Sequence, residues 1–380
     1  MRKRRKRNSI LPPPETAVPG QCISPEKKGS LDKMRNFTSI CIPTYNNPDD
    51  VHRLLSSIAE QTFRNYEVIV TDDSDGPLIS DVCRSWSLQD TPLSGRIRYC
   101  HNEKKLGPVF NWNRALRLSR GDYIKIMFSD DWFAAGDSLG AFVSMLDEHP
   151  ASSLAFSGSR QVVLNPDSAD SLRHLENKIQ SSRCRHAEKS FLDELRSDWR
   201  FLFFSNQIGS PSAVIYRRDL KNVENSIRTK DIDTVSGHSQ PSRDDAGSDL
   251  PLPVLFDEKS GFASDVVLYM DILRQNPVFS FTLDPLVCIG LHSQQYTETF
   301  KDRDDRVYQD YRLIYDKYEL RTDPRCRRHM MDAYIIPYHK PYKEAEACGF
   351  TRGQYSLGKA RGFMESARSY TQSHLKKKQG

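Results

Sequence analysis

The first 160 residues alternate between short apolar runs and amphipathic stretches. Phe37 to Pro43 is an apolar run that predicts a strand. Val51, Leu54, Leu55 and Ile58 then recur at the spacing of one helix face. Asn47 is the expected N-cap of that helix, Pro48 suits its first position, and Asp49 and Asp50 fill its first turn. Tyr66 to Thr71 predicts a second strand, and a right-handed crossover makes the two strands parallel neighbours. The alternation continues with a short helix over Val82 to Leu88, a strand over Arg96 to Cys100, and a helix over Phe110 to Ser119 stopped by Gly121. A strand over Tyr123 to Phe128, a helix over Asp137 to Glu148 and a strand over Ser153 to Ser157 follow. Alternation this regular predicts a doubly wound α/β half.

Beyond about residue 160 the pattern loosens. A helix is expected over Ala187 to Phe204, a strand over Ala213 to Tyr216, a helix over Ser264 to Leu273 and a strand over Val278 to Leu283. Residues 222–252 are rich in Ser, Asp, Thr and Pro, which predicts a long surface insertion. In the charged stretch 301–380, Tyr308, Tyr311, Leu313, Ile314, Tyr315 and Tyr318 suggest one amphipathic helix. Residues 1–35, with Pro12, Pro13 and Pro14, are expected to be disordered.

Composition narrows the class. The 380 residues suit one large domain or two modest ones. No stretch approaches the roughly 20 apolar residues of a membrane span. The basic start, Arg2 to Arg7, lacks the apolar core of a secretory signal, so a cytoplasmic protein is expected. Eight scattered cysteines without C-x-x-C spacing exclude the common zinc and redox motifs and fit a reducing compartment. Much of the net charge of +5 sits in Arg2 to Arg7 and Lys376 to Lys378. These read as solvated tails, or as weak peripheral attraction to an anionic membrane face. Nucleic-acid binding is not expected, since no aromatic or recognition-helix pattern accompanies them.

Two acidic clusters carry the candidate chemistry. Val68-Ile69-Val70-Thr71 ends in Asp72-Asp73-Ser74-Asp75, and Tyr123-Ile124-Lys125-Ile126-Met127-Phe128 ends in Ser129-Asp130-Asp131. Packing gives no reason to place carboxylates at the ends of buried strands. Ligands of open α/β sheets bind beyond those ends. Carboxylates there can hold a hard divalent cation, and that cation a diphosphate.

In order, Ile42-Pro43-Thr44-Tyr45-Asn46, Gln61-Thr62-Phe63, Tyr66 to Asp75, Asn102, Leu106-Gly107, Asn111 with Asn113, Gly121-Asp122-Tyr123-Ile124 and Phe128 to Asp131 resemble the family 2 glycosyltransferases. These are inverting enzymes of the GT-A fold. The match is strong over about 37–160 and thinner over 205–295. It implies a Rossmann-like nucleotide-sugar-binding half over 36–160 with a mixed, mostly parallel sheet. An acceptor-side half carrying the catalytic base over 161–300 and a mostly helical extension over 301–380 complete it. It also implies a nucleoside diphosphate sugar donor, UDP- or dTDP-linked, a hydroxyl acceptor on a glycan or lipid carrier, and Mn²⁺ or Mg²⁺.

The resemblance also assigns residues. Asp73 would meet the nucleobase with Asp72 beside it, and Pro43, Thr44 and Tyr45 would form the opposite wall. Asp130 would contact ribose or sugar hydroxyls, and Asp131 the metal. Ser129 stands where an acid is often found, which implies modest metal affinity. Asn102, Asn111 and Asn113 would hold ribose or phosphate, or simply hold their loop. Lys104 and Lys105 are diphosphate contacts or solvated surface. Asp265 matches the general base, with Ser264 in place of the usual first acid and free to cap the helix. His292 matches a metal or phosphate contact. A sugar nucleotidyltransferase would need a Gly-rich loop after the first strand, and 43–47 holds no glycine. A catalytically inactive nucleotide-sugar-binding scaffold is the remaining alternative.

Overall fold

A computed structural model describes residues 36–165, 168–178, 184–220, 250–300 and 304–364. The first half runs β1 (Thr38–Thr44), α1 (Pro48–Ala59), β2 (Tyr66–Asp72), α2 (Leu78–Leu88), β3 (Ile97–His101), α3 (Pro108–Leu118) and β4 (Tyr123–Ile126). Next come β5 (Trp132–Phe133), α4 (Ser138–Glu148), β6 (Leu154–Val163), α5 (Ala169–Lys178), β7 (Cys184–Arg185), α6 (Lys189–Ser197) and β8 (Val214–Arg217). Then follow α7 (Ser264–Gln275), β9 (Phe279–Leu291) and α8 (Asp305–Lys317). The charged end adds α9 (Pro324–His329), α10 (Tyr342–Ala347) and a helical segment over 352–364.

The strands form one mixed sheet in the order β3-β2-β1-β4-β8-β6-β9-β5, with β7 on β6. Strands β1 to β4 pair in parallel, as βαβ crossovers require. Strand β8 is antiparallel to both β4 and β6, and β6 runs parallel to β9. Period-2 alternation splits the apolar residues between two faces. Ile40, Ile42, Val68 and Val70 pack with Leu54 and Ile58 of α1, while Cys41, Ile69 and Ile124 pack with Ala115 and Leu116 of α3. The second face continues into α6, α7 and α8, so the charged C-terminal stretch buries Ile314 and Tyr315 in the main core. Among the described residues no helix is long and apolar enough to cross a membrane.

Several local expectations are corrected. The helix expected over Ala187 to Phe204 breaks at Asp198, which is extended and whose side chain accepts from Arg200 N. A short acidic side chain in mid-helix competes for backbone N–H groups, and here it wins and starts a 3₁₀ turn over Trp199–Phe203. Asn47 is the N-cap of α1, but in the left-handed region and without a side-chain cap bond. Gly121 does not stop α3 as a left-handed cap. Ser119 ends the helix in extended backbone, and Gly121 lies so close to β1 that a Cβ would meet Ser39 N and Phe37 O. Strand β4 stops at Ile126, because Phe128 N leaves the sheet to bond Ser212 Oγ at 3.0 Å. The two-residue strand β5 is too short to show a period. The tail over 1–35, the C-terminal lysines and the insertion up to residue 249 lie outside the described residues.

Candidate active site

The C-terminal ends of β1, β2 and β4, the end of β9 and the start of α7 open into one cavity of about 1020 Å³. Pro43, Thr44, Tyr45, Asp73, Asp130, Asp131, Asp265 and His292 all line it. Asp72, Asn102 and Asn113 do not, and their hydrogen bonds explain why. Asp72 is fully buried, and its Oδ1 accepts from Thr44 Oγ1 (3.1 Å), Ser74 N (3.0 Å) and Ser74 Oγ (2.5 Å). Its Oδ2 accepts from Tyr99 OH at 2.7 Å. This carboxylate is spent on an Asx-type turn. Asn113 clamps Phe256 reciprocally, donating to its O and accepting from its N, each at 2.9 Å. Asn102 donates to Asp73 Oδ1 (2.9 Å) and to Asn111 Oδ1 (3.0 Å), and accepts from Arg114.

Asp73 is held from three sides. Its Oδ1 accepts from Leu106 N at 2.8 Å as well as from Asn102, and its Oδ2 from Gly107 N at 2.9 Å. Gly107 sits at φ 84° before α3, a conformation glycine adopts without a Cβ penalty. One lone pair of Asp73 Oδ2 is left to face the cavity. Lys105 crosses the mouth from Asp75 Oδ2 (2.7 Å) to Tyr45 OH (3.2 Å), and its exposed ammonium is raised by the Asp75 and Tyr45 contacts.

The second acidic cluster divides its two carboxylates. Asp130 Oδ2 meets His292 Nε2 at 3.2 Å and Gln295 Nε2 at 3.4 Å, and the His292 imidazole is raised chiefly by its bond to Asp130. Asp131 lies beneath, 2% exposed, with Oδ1 accepting from Gly290 N at 3.1 Å. A Cβ on Gly290 would collide with the Asp130 carbonyl, so only glycine lets β9 approach this loop. Burial, and then the charge of Asp130, push the Asp131 carboxyl well above the usual range. Two adjacent carboxylates, one of them buried and raised by the charge of the other, suit a hard divalent cation whose remaining ligands come from phosphate oxygens. The residues present therefore fit Mn²⁺ or Mg²⁺. His292 fits less directly, because Gln294 N points at its Nδ1 (3.3 Å), which leaves the proton on Nε2 toward Asp130. Among the described residues no cluster of three or more His, Cys, Asp or Glu side chains is ready-made for a metal.

Asp265 faces the cavity from the first turn of α7. Its Oδ2 accepts from Asn206 Nδ2 and its Oδ1 from Val266 N, both at 2.8 Å. Burial pushes its carboxyl up to about 6, against the lowering pull of the Val266 N–H, Arg185 and Asn206. Ser264 does not cap the helix: the N-cap is Ala263, which has no side-chain cap.

Sequence reasoning passed over Lys125, which is fully buried in the central strand β4. Its Nζ donates to Ile126 O (3.2 Å) and to Ser212 O, and sits 4.5 Å from the Phe142 ring centre. Burial drives its ammonium well below the usual range, although Asp131 pulls the other way. The signal was a lysine between Ile124 and Ile126 in an otherwise apolar run. Asn206, Arg185 and Tyr296 also line the cavity, and no motif marks them.

Residues 39–222 match the sequence profile described as glycosyl transferase family 2. That segment belongs to the family. The chain is 29% identical over 219 residues to an uncharacterized protein of Mycobacterium tuberculosis, spanning 56% of this chain and 62% of the relative. It is 30% identical over 97 residues to the UDP-Glc:alpha-D-GlcNAc-diphosphoundecaprenol beta-1,3-glucosyltransferase WfaP of Escherichia coli, 26% of this chain and 36% of that one. The chain thus spans less than two thirds of these sequence relatives. The crystal structure of S. aureus TarS 1-349 in complex with UDP-GlcNAc superposes with a TM-score of 0.51 at 18% identity, over 79% of this chain and 72% of TarS. That likeness shows a GT-A fold.

Proposed function

We propose that this family 2 chain is a divalent-metal-dependent inverting glycosyltransferase. It moves one sugar from a UDP- or dTDP-type nucleoside diphosphate sugar to a hydroxyl of a glycan or lipid-linked acceptor, at the cytoplasmic membrane face. One observation carries the proposal: Asp73, the Asp130–Asp131 pair and Asp265 open into a single cavity. The WfaP relative, whose acceptor is diphosphoundecaprenol-linked, favours the lipid-linked arm.

In this mechanism Pro43, Thr44 and Tyr45 flank the nucleoside, and the remaining lone pair of Asp73 accepts from the base. Asp130 and Asp131, with His292 beside them, would hold the metal. When bound, Mn²⁺ or Mg²⁺ supplies positive charge against the charge that grows on the departing diphosphate. Asn206 Nδ2 and Val266 N fix the Asp265 carboxylate. Its remaining lone pairs take the proton of the acceptor hydroxyl. The hydroxyl oxygen then forms its bond to the anomeric carbon as the sugar–phosphate bond breaks, and the bonding pair leaves with the diphosphate. A carboxyl raised to about 6 is a better proton acceptor than an ordinary one and is still ionised at pH 7.

The test is release of nucleoside diphosphate from UDP- and dTDP-sugars with and without Mn²⁺, in parent and Asp265→Asn protein. Metal-stimulated release that the substitution abolishes is expected. A parent that binds UDP yet never releases it from any donor sinks the transferase and leaves the inactive scaffold.

A further inference from the structure

Helix α7 begins without a cap of its own, since Ala263 offers no side-chain oxygen to the first-turn N–H groups. The loop that leads into the helix is held instead from α8. The Asp310 carboxylate, 4% exposed, accepts from Gly261 N at 3.0 Å and from Ala263 N at 2.8 Å through Oδ2, with Oδ1 at 3.2 Å from Gly261 N. The loop it grips, 261–263, lines the cavity and runs directly into Asp265. Two further contacts tie α8 to the same segment. Lys317 Nζ bridges Asp257 Oδ2 and Asp271 Oδ2, each at 2.8 Å. Tyr318 OH, just past the helix, meets Val267 O at 3.1 Å and Asp271 Oδ1 at 3.0 Å.

We propose that Asp310 is the positioning residue for Asp265, so that the C-terminal extension completes the active site. The inference rests on Asp265 being the base. A carboxylate that accepts several backbone N–H groups fixes the loop geometry, and its charge favours the N-terminal end of α7. Asp265 follows only two residues after Ala263. Releasing the loop therefore moves the proton acceptor relative to the acceptor hydroxyl, and a displacement near 1 Å can cost about 100-fold in rate.

The full chain is compared with Asp310→Ala and with Asp310→Asn, which keeps one acceptor oxygen and the volume. Amide hydrogen exchange is expected to speed up at 261–266 in Asp310→Ala, and less so in Asp310→Asn, while β1 and β2 stay protected. The kcat for transfer should fall roughly 10- to 100-fold in Asp310→Ala, with the donor KM nearly unchanged. The acid limb of the kcat profile should drop below the parent's, because a loosened loop hydrates Asp265. Parent-like exchange at 261–266 in both variants overturns the proposal whether or not the parent turns over sugar. So does a loosened loop with unchanged kcat and acid limb. Exchange is scored without substrate, so a parent lacking transferase activity retires the proposed function separately.

Discussion

Replacing Asp265 by Asn should make the protein more stable at neutral pH while destroying transfer. Burial raises the carboxyl from 3.8 to about 6. The folded state thus holds the proton more tightly than the unfolded chain, so parent stability falls as pH rises from about 4 to about 6 and stays reduced above that. Two pKa units correspond to about 3 kcal/mol. Asn never ionises and escapes that cost. It also turns an N–H₂ toward Asn206 Nδ2, which already donates to this position, and a lost hydrogen bond takes back about 1 kcal/mol. The net gain is about 2 kcal/mol at pH 8 and fades toward pH 4. For a domain of this size that is a Tm difference of roughly 4 °C. Thermal scans of both proteins from pH 4 to pH 8 measure it, and turnover at pH 8 should fall by about 10²- to 10⁴-fold. A Tm difference that does not change with pH would refute the physical account of this carboxyl. An Asn variant with parent turnover would refute its role.

Other outcomes follow from the same geometry. Asn113→Ala leaves the Phe256 N–H and C=O without partners, so urea unfolding should show a loss of about 1–3 kcal/mol with UDP affinity by calorimetry unchanged. Gly290→Ala forces a Cβ into the Asp130 carbonyl. It should cost about 1–3 kcal/mol and weaken Mn²⁺-dependent UDP binding, and a parent-like titration would contradict the close approach of β9. Chelation by EDTA should lower UDP affinity, and added Mn²⁺ should restore it. Affinity indifferent to both would remove the metal from the Asp130–Asp131 pair.

The sequence was most legible where a long apolar run ended in charge. Strands β1, β2 and β4, with the carboxylates that follow the last two, could be placed because buried runs leave few alternatives. It was least legible where function depends on which lone pairs are already taken. Asp72 and Asp73 are adjacent acids at one strand end, yet Tyr99, Thr44 and Ser74 consume the first and leave the second facing the cavity. Asn113 shows the same limit, since its partner Phe256 lies 143 residues away. The break at Asp198 was missed because the apolar spacing of Phe191, Leu195 and Leu202 runs through it. Asp310 sits within an ordinary amphipathic pattern, and only the fold brings it under the loop before Asp265.

The hydrogen bond from Gly290 to Asp131 joins residues 159 apart in the chain. A ribosome has therefore exposed both acidic clusters long before it makes the strand that covers the second. A nascent chain ending near residue 222 would present Asp130 and Asp131 as an open, mutually repelling pair. Contacts this distant slow folding, so the carboxylates become a coherent site only late in synthesis, and nonsense truncations upstream of β9 should yield protein with no grip on nucleotide.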